Sequence, residues 1–185
     1  MNILIVISIL LISMILSVDT VAQSQSGAVT VNIRFLLVQT IAVQPSQKTT
    51  DLVYASPEDY ENGISVTQDD HLTVFSTGGF QVSVAADDDH FTRVEGSEVI
   101  SLADVIIRAG DGSNSGAHTL YTAAALSVTP APIIESEYGG RDLKYNVTYD
   151  NQIAGAANKY INKYVKADGL ETVYSANVTY TITTR

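Results

Sequence analysis

Residues 64–84, ISVTQDDHLTVFSTGGFQVSV, decide the fold class of this chain. The runs 71–75 and 80–84 are rich in β-branched and aromatic residues, and Ser76-Thr77-Gly78-Gly79 lies between them. This pattern predicts a β-hairpin whose glycines supply the φ > 0 positions of a tight reversal. In the second arm Phe80, Val82 and Val84 alternate with Gln81, Ser83 and Ala85. One face is therefore apolar and the other polar, as in a half-buried antiparallel strand. A lone hairpin is marginal in water, so further strands must cover it.

Upstream, residues 58–63, EDYENG, read as a turn, and Leu52-Val53-Tyr54 as a short strand that Ser56-Pro57 ends. Residues 28–43, AVTVNIRFLLVQTIAV, form the longest alternating run in the chain. Val29, Val31, Ile33, Phe35 and Leu37 share one face, against Thr30, Asn32 and Arg34 on the other. Two readings stay open. The run is either the ordinary first strand of the chain's own sheet, or an arm that completes a neighbour's sheet by strand addition.

Downstream, residues 86–90, ADDDH, form an acidic loop. Residues 99–108 hold a strand with an irregularity near Ala103-Asp104, and 109–118, AGDGSNSGAH, is a surface loop. Residues 133–138 and 143–149 flank Gly139-Gly140 as a second hairpin. Between 151 and 166, Ile153, Ala157, Tyr160, Ile161 and Tyr164 recur at helical spacing and predict one short helix near the C-terminus, ended by Asp168-Gly169. The run 172–185 alternates again, with Tyr174, Val178, Tyr180 and Ile182 on one face. Many short strands cut by turn signals indicate an all-β, immunoglobulin-like antiparallel β-sandwich rather than βα units.

Residues 1–22, MNILIVISILLISMILSVDTVA, carry an apolar core and a Thr20-Val21-Ala22 cleavage pattern, so they read as a signal peptide removed after Ala22. Residues 23–185 then form a single domain, expected outside the cell or on its surface, with no membrane contact after cleavage. The 185 residues include no Cys, which excludes thiol catalysis and Cys-based zinc sites. A net charge of -10 disfavours nucleic acid and anionic membranes, whose binders need clustered Lys or Arg.

No motif carries chemistry. His71, His90 and His118 lack chelating spacing, and no G-x-S-x-G elbow is present. Asp87, Asp88 and Asp89 offer a weak Ca²⁺ site and otherwise read as a solvated loop. The string Asp111-Gly112-Ser113-Asn114-Ser115 mimics cation loops, but it lacks a helix to follow it, and Thr122 stands where an EF-hand requires Glu. Asn146-Val147-Thr148 and Asn177-Val178-Thr179 match the N-glycan acceptor pattern and read as strand residues. The 10 tyrosines include Tyr145, Tyr149, Tyr174 and Tyr180 on strands, where exposed rings would stack on sugars and sheltered rings would border the core.

The segments Asp59-Tyr60-Glu61-Asn62-Gly63, His71-Leu72-Thr73-Val74-Phe75-Ser76, Phe80-Gln81-Val82-Ser83-Val84, Tyr145-Asn146-Val147-Thr148-Tyr149 and residues 174–183 resemble small secreted bacterial β-sandwich proteins of the Bacteroidetes type, related to spore coat U and secreted-pilin domains. That resemblance implies an extracellular structural role with subunits joined by an exchanged strand; with no catalytic motif, the chain is expected to be a non-enzymatic subunit without a cofactor, self-assembling or joined to other surface subunits. It departs from many pilins in lacking a Cys pair and in keeping an intact final strand. A glycan-binding adhesin module is the alternative from another functional class.

Overall fold

The computed structural model describes residues 25–166 and 171–185; the expected signal peptide, residues 1–22, lies outside the described residues. The chain divides into two units, Met1–Phe35 and Leu36–Arg185. Residues 25–35 of the first carry no regular secondary structure.

The second unit is built of antiparallel strands: β1 (Gln39–Val43), β2 (Ser65–Ser76), β3 (Phe80–Ala86), β4 (His90–Phe91), β5 (Ile100–Ser101), β6 (Ile106–Asp111), β7 (Thr119–Tyr121), β8 (Ala124–Ala125), β9 (Ala131–Ser136), β10 (Gly140–Asp150) and β11 (Val178–Thr184). They form a five-stranded sheet in the order β1-β2-β10-β6-β8, a four-stranded sheet β11-β3-β9-β7, and the small pair β4-β5. The all-β expectation is met, and the two larger sheets pack face to face. Leu72, Val74, Tyr145, Val147 and Ile107 from one sheet meet Phe80, Val82, Val84, Ile133 and Ile134 from the other in a single buried cluster. The Phe80 and Tyr145 rings touch across it with centroids 6.4 Å apart.

The segment 64–84 does make strand, turn, strand, but its arms do not pair with each other. β2 pairs with β1 and β10, whereas β3 pairs with β11 and β9. The connection is an arch that carries the chain from one sheet to the other. β9 and β10 around Gly139 repeat the arrangement, so the second expected hairpin is an arch too. The two arches stack, with Gly140 opposite Ser76 in one sheet and Phe80 opposite Ser136 in the other. Their glycines serve close approach rather than positive φ. A Cβ on Gly79 would lie 2.9 Å from the Glu137 carbonyl oxygen, and one on Gly139 would overlap the Ser76 carbonyl and stand 2.7 Å from the Gly78 nitrogen.

Two local expectations are corrected. Residues 58–63 belong to a short helix, α1 (Pro57–Asn62), where a turn was expected. Ser56 and Asp59 form a reciprocal capping box, Pro57 occupies the first turn, and Gly63 at φ 72° ends the helix. The helix expected over 151–166 is absent, and that stretch is a series of turns. Ala157, Asn158 and Asn162 take left-handed φ values of 53°, 59° and 88°, which a right-handed helix cannot contain. The backbone is drawn instead onto α1, where Ala157 N–H donates to Glu61 O at 2.9 Å and Asn158 N–H to Tyr60 O at 2.8 Å.

Replacing Gly139 with Ala should lower stability by roughly 1–3 kcal/mol, the usual cost of forcing atoms into a filled site. Gly110→Ala, whose Cβ would meet nothing within 4 Å, should change it by less than about 0.5 kcal/mol or raise it. Urea midpoints at constant m-value distinguish the two outcomes.

Candidate functional site

The strand expected over 28–43 forms only at Gln39–Val43. Its partner explains why. Thr77 brackets Val38, donating its N–H to Val38 O at 3.0 Å and accepting from Val38 N–H on Oγ1 at 3.0 Å. β2 ends at Ser76, and among the described residues no strand pairs with the chain upstream of Gln39. Val29, Val31, Ile33 and Phe35 are left exposed, Phe35 at 90 %, and Leu37 remains 53 % exposed beside Gly78. Burying such side chains is worth on the order of 1.5–3 kcal/mol each.

Two open edges lie together on one flank, β1 in the five-stranded sheet and β11 in the four-stranded one. Asp87 N–H donates to Asn177 O and Arg185 N–H to Gly79 O, so the odd-numbered residues of β11 face β3. The N–H and C=O groups of Val178, Tyr180, Ile182 and Thr184 consequently point outward. By the same alternation, Gln39, Ile41 and Val43 point their backbone groups out from β1. Among the described residues no strand pairs with either outer edge. Their inward side chains, Ile41, Val43, Val178, Tyr180 and Ile182, are half-buried against the core.

A polar chain ties this flank together. His71, 2 % exposed, places Nδ1 3.0 Å from Gln47 Oε1 and Nε2 3.0 Å from the Tyr149 hydroxyl. The Tyr149 hydroxyl stands 2.7 Å from that of Tyr180 on β11. A neutral imidazole completes the set, with Nδ1–H donating to Gln47, Nε2 accepting from Tyr149, and Tyr149 accepting from Tyr180. Burial holds the His71 pKa below its ordinary value, and burial likewise raises those of Tyr149 and Tyr180.

The aromatic expectation resolves accordingly. Tyr145 is fully buried, Tyr149 and Tyr180 spend their hydroxyls on this internal chain, and Tyr174 stacks beside Tyr164 and under Arg93. The four do not form an exposed platform. Sequence reasoning overlooked a second polar knot beneath the turns after β10. Buried Asp104 accepts from the Tyr160 hydroxyl at 2.6 Å and Lys159 Nζ at 2.7 Å, while Asn151 Nδ2 donates to Asp104 O at 3.1 Å. Tyr54 donates to Asn151 Oδ1, and its hydroxyl is pushed up to about 12 by burial and then by the Asp104 charge. Nearby, Arg108 pairs with buried Asp150. Only the isolated Asp104 hinted at this knot in the sequence, and its partners come from three distant stretches.

The remaining sequence candidates are dispersed. Asp89 meets His90 Nδ1 at 3.0 Å, and Asp87 accepts from Thr179 Oγ1 at 3.2 Å. Asp111 accepts from Tyr121 at 2.5 Å, and Ser113 donates to Asp70 through N–H and Oγ at 2.7 and 2.6 Å. Among the described residues no three His, Asp or Glu side chains converge as a metal site, and no helix is long and apolar enough to cross a membrane. Only Arg93 Nε and Tyr145 Oη are buried without a hydrogen-bond partner among them. No protein-family model matches the chain, and no protein of curated function matches it either.

The His71 chain sets a pH dependence. The unfolded imidazole titrates at about 6.5 and the folded one lower, so below that value the unfolded state binds more protons. The contribution is complete above the unfolded pKa and is lost as pH falls through it toward the depressed folded value. Urea unfolding should show lower stability at pH 5.5 than at pH 7.5, and His71→Gln should be weaker at pH 7.5 but less dependent on pH across that window.

Proposed function

We propose that this protein is a non-enzymatic, secreted structural subunit of a cell-surface or extracellular filament or coat. Residues 1–22 act as its export signal and residues 23–185 as an immunoglobulin-like, pilin-like sandwich domain that assembles by N-terminal strand addition. The observation that carries this reading is the pairing of opposites in one chain. Val29, Val31, Ile33, Phe35 and Leu37 form an exposed apolar stripe, and among the described residues no strand pairs with the outer, half-apolar edges of β1 and β11 in the domain that follows. Exposed apolar rows on a chain of net charge -10 point to an interaction surface, because a soluble monomer gains nothing by displaying them. Main-chain pairing along an edge supplies affinity, and the alternating side chains supply register. Apart from Arg93 Nε and the Tyr145 hydroxyl, the buried side-chain polar groups among the described residues are hydrogen-bonded, which suits a structural role. The resemblance to spore coat U and secreted-pilin domains points the same way.

Deleting residues 23–35 from the exported protein should leave a folded domain by far-UV circular dichroism and abolish polymers in negative-stain electron microscopy. Filaments of unchanged length and number after the deletion would refute assembly through the arm.

A further inference from the structure

We infer that the acceptor of the arm is the outer edge of β11 in a second copy of this chain, met antiparallel and in one register, with Arg34 seated on the Asp87-Asp88-Asp89 loop; this inference rests on the strand-addition reading above.

Direction comes from the fold. Gln39 pairs with Ser76, so β1 begins at the end of the sandwich where both arches lie. β11 finishes at that same end, since Thr184 pairs with Phe80, and it starts at the opposite end, where Val178 pairs with Ala86. If the arm continues past Leu36 beyond that end, it would reach first the Val178 end of a like-oriented copy stacked on the arches. Read from N- to C-terminus, that arm runs opposite to β11. The β11 edge is seven residues long, and residues 29–35 are seven as well. At about 3.3 Å per residue, the two cover the same span.

Register follows from which groups are free. The outward N–H and C=O groups belong to Val178, Tyr180, Ile182 and Thr184, and their side chains lie on the core side, apart from the terminal Thr184. Facing residues of an antiparallel pair project to the same side of a sheet. Placing Phe35 opposite Val178 sets Ile33 opposite Tyr180, Val31 opposite Ile182 and Val29 opposite Thr184. Every apolar residue of the arm then covers the half-buried row of the acceptor. The polar set falls outward, with Arg34 opposite Thr179 and Asn32 opposite Thr181. Thr179 already holds Asp87 through its hydroxyl at 3.2 Å, at the start of three successive exposed carboxylates. Arg34 is the single charged residue among residues 25–35, and this register brings it to the most acidic loop of the chain.

The absence of Cys makes a direct test clean. In this register Asn32 and Thr181 form a non-hydrogen-bonded pair, with Cα atoms about 4.5 Å apart, within disulfide range. The variant Asn32→Cys/Thr181→Cys, oxidised after assembly, should give a ladder of covalent multimers on non-reducing gels that either single variant lacks. Arg34→Glu should reduce filament yield severalfold, and Asp87→Lys/Asp88→Lys in the same chain should restore it. Filaments that form normally while the 32–181 pair gives no ladder, or that ladder instead through Asn32→Cys/Thr179→Cys, would overturn this acceptor and register and leave strand addition standing. Filaments that survive deletion of residues 23–35 would remove both.

Discussion

The architecture depends on how closely two turns can approach. The arches around Gly79 and Gly139 press backbone on backbone, with no room for a Cβ on either glycine. That contact aligns two strand pairs at once, β2 with β10 and β3 with β9, and places them in opposite sheets. The core follows from this alignment. Leu72 and Val74 look across at Phe80, Val82 and Val84 because consecutive strands were delivered to facing sheets, and Tyr145 closes the space between them. A hairpin built from the same residues would have left their apolar faces side by side on one sheet, to be covered by something else.

The same geometry decides which edges are protected. On one flank the sheets end in β7 and β8, three and two residues long, too short to template further pairing. On the other flank β1 and β11 remain open, and their inward side chains are half-buried rather than sealed. His71, Tyr149 and Tyr180 fasten that open flank from within, linking β2 and β10 of one sheet to β11 of the other. Internal polar bonding holds β11 in place although, among the described residues, no strand pairs with its outer edge.

Much of this is legible in the sequence. Period-two stripes mark the inward faces of β3 and β11, because alternation reports burial whatever the partner is, while β2 and β10 are legible only as strand-rich runs beside glycine turns. Partner choice was not legible. A glycine turn between two amphipathic runs reads identically for a hairpin and for an arch, and only the stacking of Gly79 against the segment before Gly139 separates them. Over 151–166, apolar spacing suggested a helix, but docking onto α1 and the left-handed residues Ala157, Asn158 and Asn162 overrode it. α1 itself was concealed in a stretch of turn-forming residues, although Ser56, Pro57 and Asp59 spell a capping box. The run 28–43 reads as one long strand, yet only Gln39–Val43 pairs, because β2 ends at Ser76, which the sequence of the run itself does not encode.

The arm and the open flank are distinct surfaces, and this governs what their union would build. A patch that pairs with itself closes into a dimer, whereas a contact between two different surfaces, the apolar stripe of one copy and the β11 edge of another, would be head-to-tail. Such a contact repeats without closing unless its rotation returns to the start, which makes a fibre its natural product. Charge sharpens the choice. At a net charge of -10, copies repel one another over their general surface, so unspecific edge pairing is opposed. A contact that brings the one cation of the arm to an acidic loop escapes that penalty locally, and the apolar stripe is then buried in one direction only.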